Sequence, residues 1–312
     1  MSRWGWVRAA VAVAVLATVG WRVGTDAFLA GLSRVDARSL AVGCGVALVT
    51  TVCCAWRWTL VARSLGVPVP LTAAVAAYYR SQFLNVATPG GVVGDVDRAL
   101  RRGSAVGDTG RVVRSVVWDR VAGQVVLVAV AIAGLTVLPS PVRDQVRLAA
   151  IAVLATGFVI TLVTLAARRG GSSRPTGDRS RRWSAIPGSG DLRAVLLTRH
   201  TSSRVLLASV VALAGHVLTF LVAARTAGAS AATAAVLPLA LVVLLAMGLP
   251  NVAGWGPREG VAAWSFGAAG MGAQQGVTTA VVYGVIVFVG ALPGAVVLLV
   301  SAAGRVRGGR RG

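Results

Sequence analysis

Apolar runs of 15 to 27 residues recur along the chain, separated by short clusters of Arg, Gly and Pro. Runs of this length match the roughly 20 residues that a helix needs to cross a bilayer. The pattern predicts spans at residues 7–21, 40–58, 121–138, 148–167, 205–224, 231–249 and 274–300. Residues 25–39 are mixed and predict an interfacial helix. The second span ends in Trp56-Arg57-Trp58, which reads as an aromatic and basic interface anchor. Pro68 and Pro70 break the chain after it, and Pro139 and Pro141 stop the third span.

Two stretches depart from this pattern in a similar way. Residues 71–84 form an amphipathic arm that breaks at 88–91, Thr-Pro-Gly-Gly, and restarts as a charged arm running to Arg102. Residues 250–264 repeat the design as PNVAGWGPREGVAAW: a Pro/Gly break, a charged pair and an apolar helix. Gly/Pro-interrupted segments in corresponding positions of two halves are the strongest sequence pointer to a transporter binding site. The fold class expected is therefore all-α. It is a polytopic transmembrane helix bundle of about eight membrane segments with two re-entrant elements, one in each half.

Composition supports a membrane chain. Hydrophobic residues make up 56% and charged residues 13%, about half the charged share of a soluble domain. The formal net charge is +21, every basic residue except two His is Arg, and Glu259 is the sole Glu. The Arg residues cluster at the ends of apolar runs, which is a positive-inside pattern, so an anionic membrane surface is the expected partner and nucleic acid is not. Residues 168–199 carry eight Arg against two Asp among Ser, Gly and Pro. They predict a cytoplasmic linker without fixed structure, dividing one integral membrane domain, 1–312, into halves 1–167 and 200–312. Cys44, Cys53 and Cys54 share one apolar run without metal-ligand spacing and read as small apolar helix residues.

Seven spans would leave the two tails on opposite sides, yet both tails and the linker are basic. One interrupted element is therefore expected to serve as an eighth crossing; otherwise the final run, which contains Pro293, is a bent hairpin.

The breaks also suggest chemistry. A helix restarting after Pro89-Gly90-Gly91 begins with unpaired N–H groups and the positive pole of its dipole, a site for phosphate or carboxylate. Pro257 sits where a first helical residue is favoured, and Glu259 falls at the third position, where an acid caps. An Asp or Arg at a helix centre in lipid costs about 2.5–3.5 kcal/mol on the most lenient scale. Asp95, Asp97, Arg98, Arg258 and Glu259 should therefore pair or face a polar cavity, with Arg80, Asp119 and Arg120 joining them. The competing reading makes each break a loop at the membrane surface.

The segments YYRSQFLNVATPGGVVGDVDRA and PNVAGWGPREGVAAW, with SVVWDRVAG between them, resemble the lysylphosphatidylglycerol synthase transmembrane region shared by flippase-like membrane proteins. The resemblance implies about eight helices with re-entrant segments and movement of a charged lipid between leaflets. By motif it implies a lipid-binding site at Arg80, Asn85, Pro89, Gly90, Gly91, Gly94, Asp95, Arg98, Asp119, Arg120, Gly254, Gly256, Arg258 and Glu259. Lysyl transfer belongs to a soluble aminoacyltransferase domain in that family and is not expected of these residues.

The function expected is binding and translocation of an anionic or zwitterionic lipid, a phospholipid or a polyprenyl-phosphate-linked sugar, across a bacterial plasma membrane. The alternatives are a membrane-embedded lipid-modifying transferase and a non-transporting partner of a cell-envelope or glycolipid synthase. No Ser/His/Asp triad, metal cluster or P-loop is visible in the sequence, which weighs against an enzyme. No cofactor and no metal are expected.

Overall fold

The computed structural model describes residues 26–88, 91–137, 199–248 and 255–308. The expected spans 7–21 and 148–167, most of the linker 168–199 and the extreme C-terminus lie outside them. The described residues form ten helices. These are α1 (Asp26–Ser33), α2 (Ala37–Ser64), α3 (Leu71–Ala87), α4 (Val93–Val106), α5 (Thr109–Val137), α6 (Arg199–Thr226), α7 (Thr233–Ala246), α8 (Pro257–Ala268), α9 (Ala273–Ala291) and α10 (Pro293–Gly308).

Helices α2, α5, α6 and the joined α9–α10 are long and apolar enough to cross a membrane. Each begins or ends where polar groups allow. Asp36 caps α2, its carboxylate accepting the Ser39 N–H at 2.8 Å while the Ser39 hydroxyl accepts the Asp36 N–H at 3.3 Å. Pro293, which has no N–H to donate, divides α9 from α10 within the last run.

Helices α2 and α6 run antiparallel. Arg57 donates to the Ser209 hydroxyl at 3.2 Å, and Gly215 lies so close to Thr50 that a Cβ there would meet its methyl at 2.1 Å. Ser64 and Arg199 therefore share one end of the bundle, called here the linker end. At the far end the Ala227 carbonyl accepts from Arg34 and from Gln275, the latter at 3.0 Å, tying the α1–α2 corner, α6 and α9 together. The largest core lies among α6, α7, α8 and α9 and includes Phe220, Leu239, Phe266, Tyr283 and Ile286.

Apart from α1, the remaining helices form two antiparallel hairpins. In α3–α4, Gly94 packs directly on the Ser81 backbone, and Arg102 donates to the Pro68 carbonyl at 2.6 Å. Both outer ends of this hairpin lie at the linker end. In α7–α8, the C-terminal end of α8 lies against the start of α9. Gly276 of α9 packs on the Ala262 carbonyl, and Gly284 packs on Arg258. This second hairpin has its outer ends at the far end.

The expected span 231–249 is shorter than anticipated. Helix α7 has 14 residues and contains Pro238. At 1.5 Å per residue it is about 21 Å long, less than the hydrocarbon core of about 30 Å.

Candidate functional site

The break after α3 brings a polar network together because α4 folds straight back on it. The Asn85 carboxamide oxygen accepts the Gly94 N–H at 2.8 Å, and its nitrogen donates to Asp95 at 3.4 Å. The Ser81 hydroxyl donates to the other Asp95 oxygen at 3.1 Å. This contact requires the glycine at 94, where a Cβ would sit 2.0 Å from the Ser81 carbonyl oxygen. Asp95 also pairs with Arg98 at 3.0 Å and with Arg120 at 2.6 Å. One turn on, Asp97 bridges Arg80 at 2.7 Å and Arg101 at 2.9 Å.

Asp119 is the deepest acid of this network, with no exposed surface. It takes Arg57 at 2.8 Å and Arg98 at 3.4 Å, and it accepts the Tyr78 hydroxyl. A charge removed from water needs such partners, since an uncompensated one is expensive. The Arg98 guanidinium is held between aromatic faces, 4.6 Å from the Trp58 ring centre and 4.2 Å from that of Tyr78. Trp58 is fixed in turn by its indole N–H, which donates to Ser115 at 3.1 Å.

The second hairpin carries a smaller site. Pro257 opens α8 as expected, behind Gly256 at φ 115°, a backbone conformation that suits glycine. Glu259 accepts the Gly256 N–H at 2.7 Å with one oxygen and the Arg258 guanidinium Nε at 2.8 Å with the other. Arg258 stacks on Trp255, 4.9 Å from its ring centre, and Gly284 leaves room for it: a Cβ there would meet a guanidinium nitrogen at 2.4 Å. Trp255 meets Phe28 of α1 at 5.4 Å.

A cavity of about 300 Å³ joins the two hairpins. Val86 lines it from the tip of α3–α4; Met247, Trp255 and Arg258 line it from the tip of α7–α8; and Phe288 completes the wall from α9. A second cavity of about 270 Å³ lies toward the linker end, among α3, α4 and α10. Arg80, Arg98, Arg101, Arg102 and Asp97 form its polar wall, and Trp58, Ala76 and Val297 belong to its apolar one.

The structure therefore collects Asn85, Gly94, Asp95, Arg98, Asp119 and Arg120 in one network, with Arg80 paired to Asp97 beside it, and Gly256, Arg258 and Glu259 in another. Gly91 sits in the turn between α3 and α4 at φ 65°. Pro89, Gly90 and Gly254 lie outside the described residues. At each helix start one N–H group already has a side-chain partner. The Gly94 and Gly256 N–H groups are already taken by Asn85 and Glu259, and Asp95 supplies the negative charge that the dipole of α4 favours.

Arg57 and Tyr78 were not among the expected site residues. The expected interface anchor is instead interior, with Arg57 5% and Trp58 1% exposed. The available signal was an Arg inside an apolar run, which marks a functional position more often than an edge. Among the described residues no group of three or more metal-ligating side chains occurs, and the three cysteines are free thiols.

Residues 5–294 match the lysylphosphatidylglycerol synthase TM region family. The chain belongs to that family. As a member it is a multi-pass membrane protein of a lipid-related group, and its described residues are helical throughout apart from short connections. No curated protein matches the chain.

Proposed function

We propose that the protein binds a phosphate-bearing lipid, anionic or zwitterionic, and moves its headgroup across a bacterial plasma membrane. One observation carries this reading. Two hairpins too short to span enter the bundle from opposite ends, and their tips flank one cavity that contains Arg258. Broken helices facing each other at mid-depth are how transporters place a polar site inside lipid.

We read both hairpins as re-entrant, and with the apolar runs 7–21 and 148–167 taken from the sequence as crossings the count is even. The run 231–249 returns to the far end as α7–α8 and no longer counts as a crossing. Six crossings remain: 7–21, α2, α5, 148–167, α6 and α9–α10. Both tails and the linker then share one side, in keeping with their common excess of Arg, and that side is the cytoplasm. On this reading two expected crossings, the run 231–249 and the interrupted element counted as the eighth, are replaced by two half-crossings.

The apolar wall of the central cavity suits a path that excludes bulk water, while the Arg258–Glu259 pair supplies a guanidinium for phosphate and an internal counter-ion when phosphate is absent. The test is reconstitution of the full chain with an acyl-labelled phospholipid. Lipid that changes leaflet unaltered supports the proposal. A chemically altered lipid supports a transferase, and lipid that stays in place contradicts transport.

A further inference from the structure

The cavity at the linker end has an unbalanced charge. Four guanidinium groups, those of Arg80, Arg98, Arg101 and Arg102, line it against the carboxylate of Asp97. Arg98 is 3% exposed, and its Nε and Nη1 atoms have no hydrogen-bond partner although the residue lines the cavity. A buried guanidinium with two N–H groups unmet lacks an acceptor, and native structures rarely leave such groups so. Both ion pairs of Arg98, to Asp95 and Asp119, are made through Nη2.

The cavity is too small for a whole lipid and lies beside apolar side chains of α3 and α10, Ala73, Ala76 and Val297. It fits a headgroup whose chain lies along the outside of the bundle.

From this geometry we infer that the linker-end cavity captures headgroups of net negative charge, a phosphate monoester or a diphosphate, and discriminates against zwitterionic and cationic ones. The inference rests on the lipid-transport reading and narrows its substrate class. A phosphate monoester accepts from Arg101 and Arg102 at the rim, with the buried Arg98 guanidinium adding its positive charge beneath them. Asp97, already shared between Arg80 and Arg101, holds the rim guanidinia in place while the cavity is empty. A headgroup that carries its own amine brings a second cation into a site with surplus positive charge, and like charges brought together in a specific site repel.

The test uses the purified full chain in an uncharged detergent, with binding of three short-chain probes measured by calorimetry: dihexanoyl phosphatidic acid, dihexanoyl phosphatidylcholine and a dihexanoyl lysylphosphatidylglycerol. Phosphatidic acid is expected to bind at least about tenfold more tightly than either of the others, a preference that weakens as salt rises. The double variant Arg101→Gln/Arg102→Gln removes the two rim guanidinia, together with their contacts to Asp97 and the Pro68 carbonyl. It should lose about tenfold affinity for phosphatidic acid and distinctly less for phosphatidylcholine, whose phosphate charge is balanced by its own amine. Equal affinities for the three probes, no binding of any, or wild-type affinity in the rim variant would overturn the inference. Equal affinities in a protein that still moves lipid between leaflets would remove the charge preference and leave transport standing. Tight phosphatidic acid binding without movement of any lipid would do the reverse.

Discussion

Arg258 and Glu259 are neighbours in sequence and partners in space: the guanidinium donates to one carboxylate oxygen while the other oxygen caps the Gly256 N–H. Both groups are buried, 4% and 2% exposed. A single acid thus starts a helix and neutralises an arginine, and a Gln can take over only the first task. Glu259→Gln should keep the cap and leave Arg258 uncompensated, with a stability loss of about 3–5 kcal/mol. Arg258→Met/Glu259→Gln removes both charges and should recover most of that loss. Thermal unfolding in detergent reads the difference; a single variant as stable as the wild type would mean that the pair is only a cap.

Asp119 anchors the larger network through Arg57, Arg98 and Tyr78. Asp119→Asn should destabilise by about 3–5 kcal/mol, since two buried guanidinia lose their shared charge. Tyr78→Phe removes one hydrogen bond to a charged group and should cost about 1.5–3 kcal/mol. The order of the two melting temperatures checks the role of Asp119 as the hub. Equal losses would place the hub elsewhere.

Close helix contacts hold both hairpins. A Cβ at Gly94 would sit 2.0 Å from the Ser81 carbonyl oxygen, and one at Gly276 would sit 2.2 Å from that of Ala262. Gly94→Ala and Gly276→Ala should each push a hairpin off its neighbour and lower stability by about 1–3 kcal/mol. Gly45→Ala in α2 meets nothing within 4 Å and should be neutral or slightly stabilising. Melting curves that fail to separate the two packed positions from the control would contradict this packing.

Much of this was legible in the chain. The Pro/Gly breaks, the start of α8 at Pro257 and the pairing of Asp95, Arg98 and Arg258 followed from helix-terminus chemistry and the cost of charge in lipid. Arg57 was not legible, because an Arg between two Trp at the end of an apolar run has the same local signature as an interface anchor. Only the packing of α2 against α5 distinguishes them, bringing residues 57 and 119 together across 62 positions. The length of α7 was also hidden. Residues 231–249 are apolar throughout, and hydropathy alone cannot tell a half-crossing from a whole one.

Topology follows from the charge pattern and the hairpins together. On a background lacking Cys44, Cys53 and Cys54, single cysteines placed in the linker 168–199 or in either tail should resist an impermeant thiol reagent added to intact cells. A cysteine placed at Gly270, in the turn between α8 and α9, should react. Labelling of the linker from outside would reverse the assignment of sides.

The central claim is that lipid passes between the two hairpin tips. The measurement that tests it most directly is the rate at which acyl-labelled phosphatidylglycerol and phosphatidylcholine change leaflet in proteoliposomes, compared between wild type and Arg258→Met/Glu259→Gln. The double variant is expected to fold, so its defect isolates the site. The account predicts movement of at least one of the two lipids by the wild type and a drop of tenfold or more in the variant. A variant as fast as the wild type, or a wild type no faster than protein-free liposomes, would contradict it.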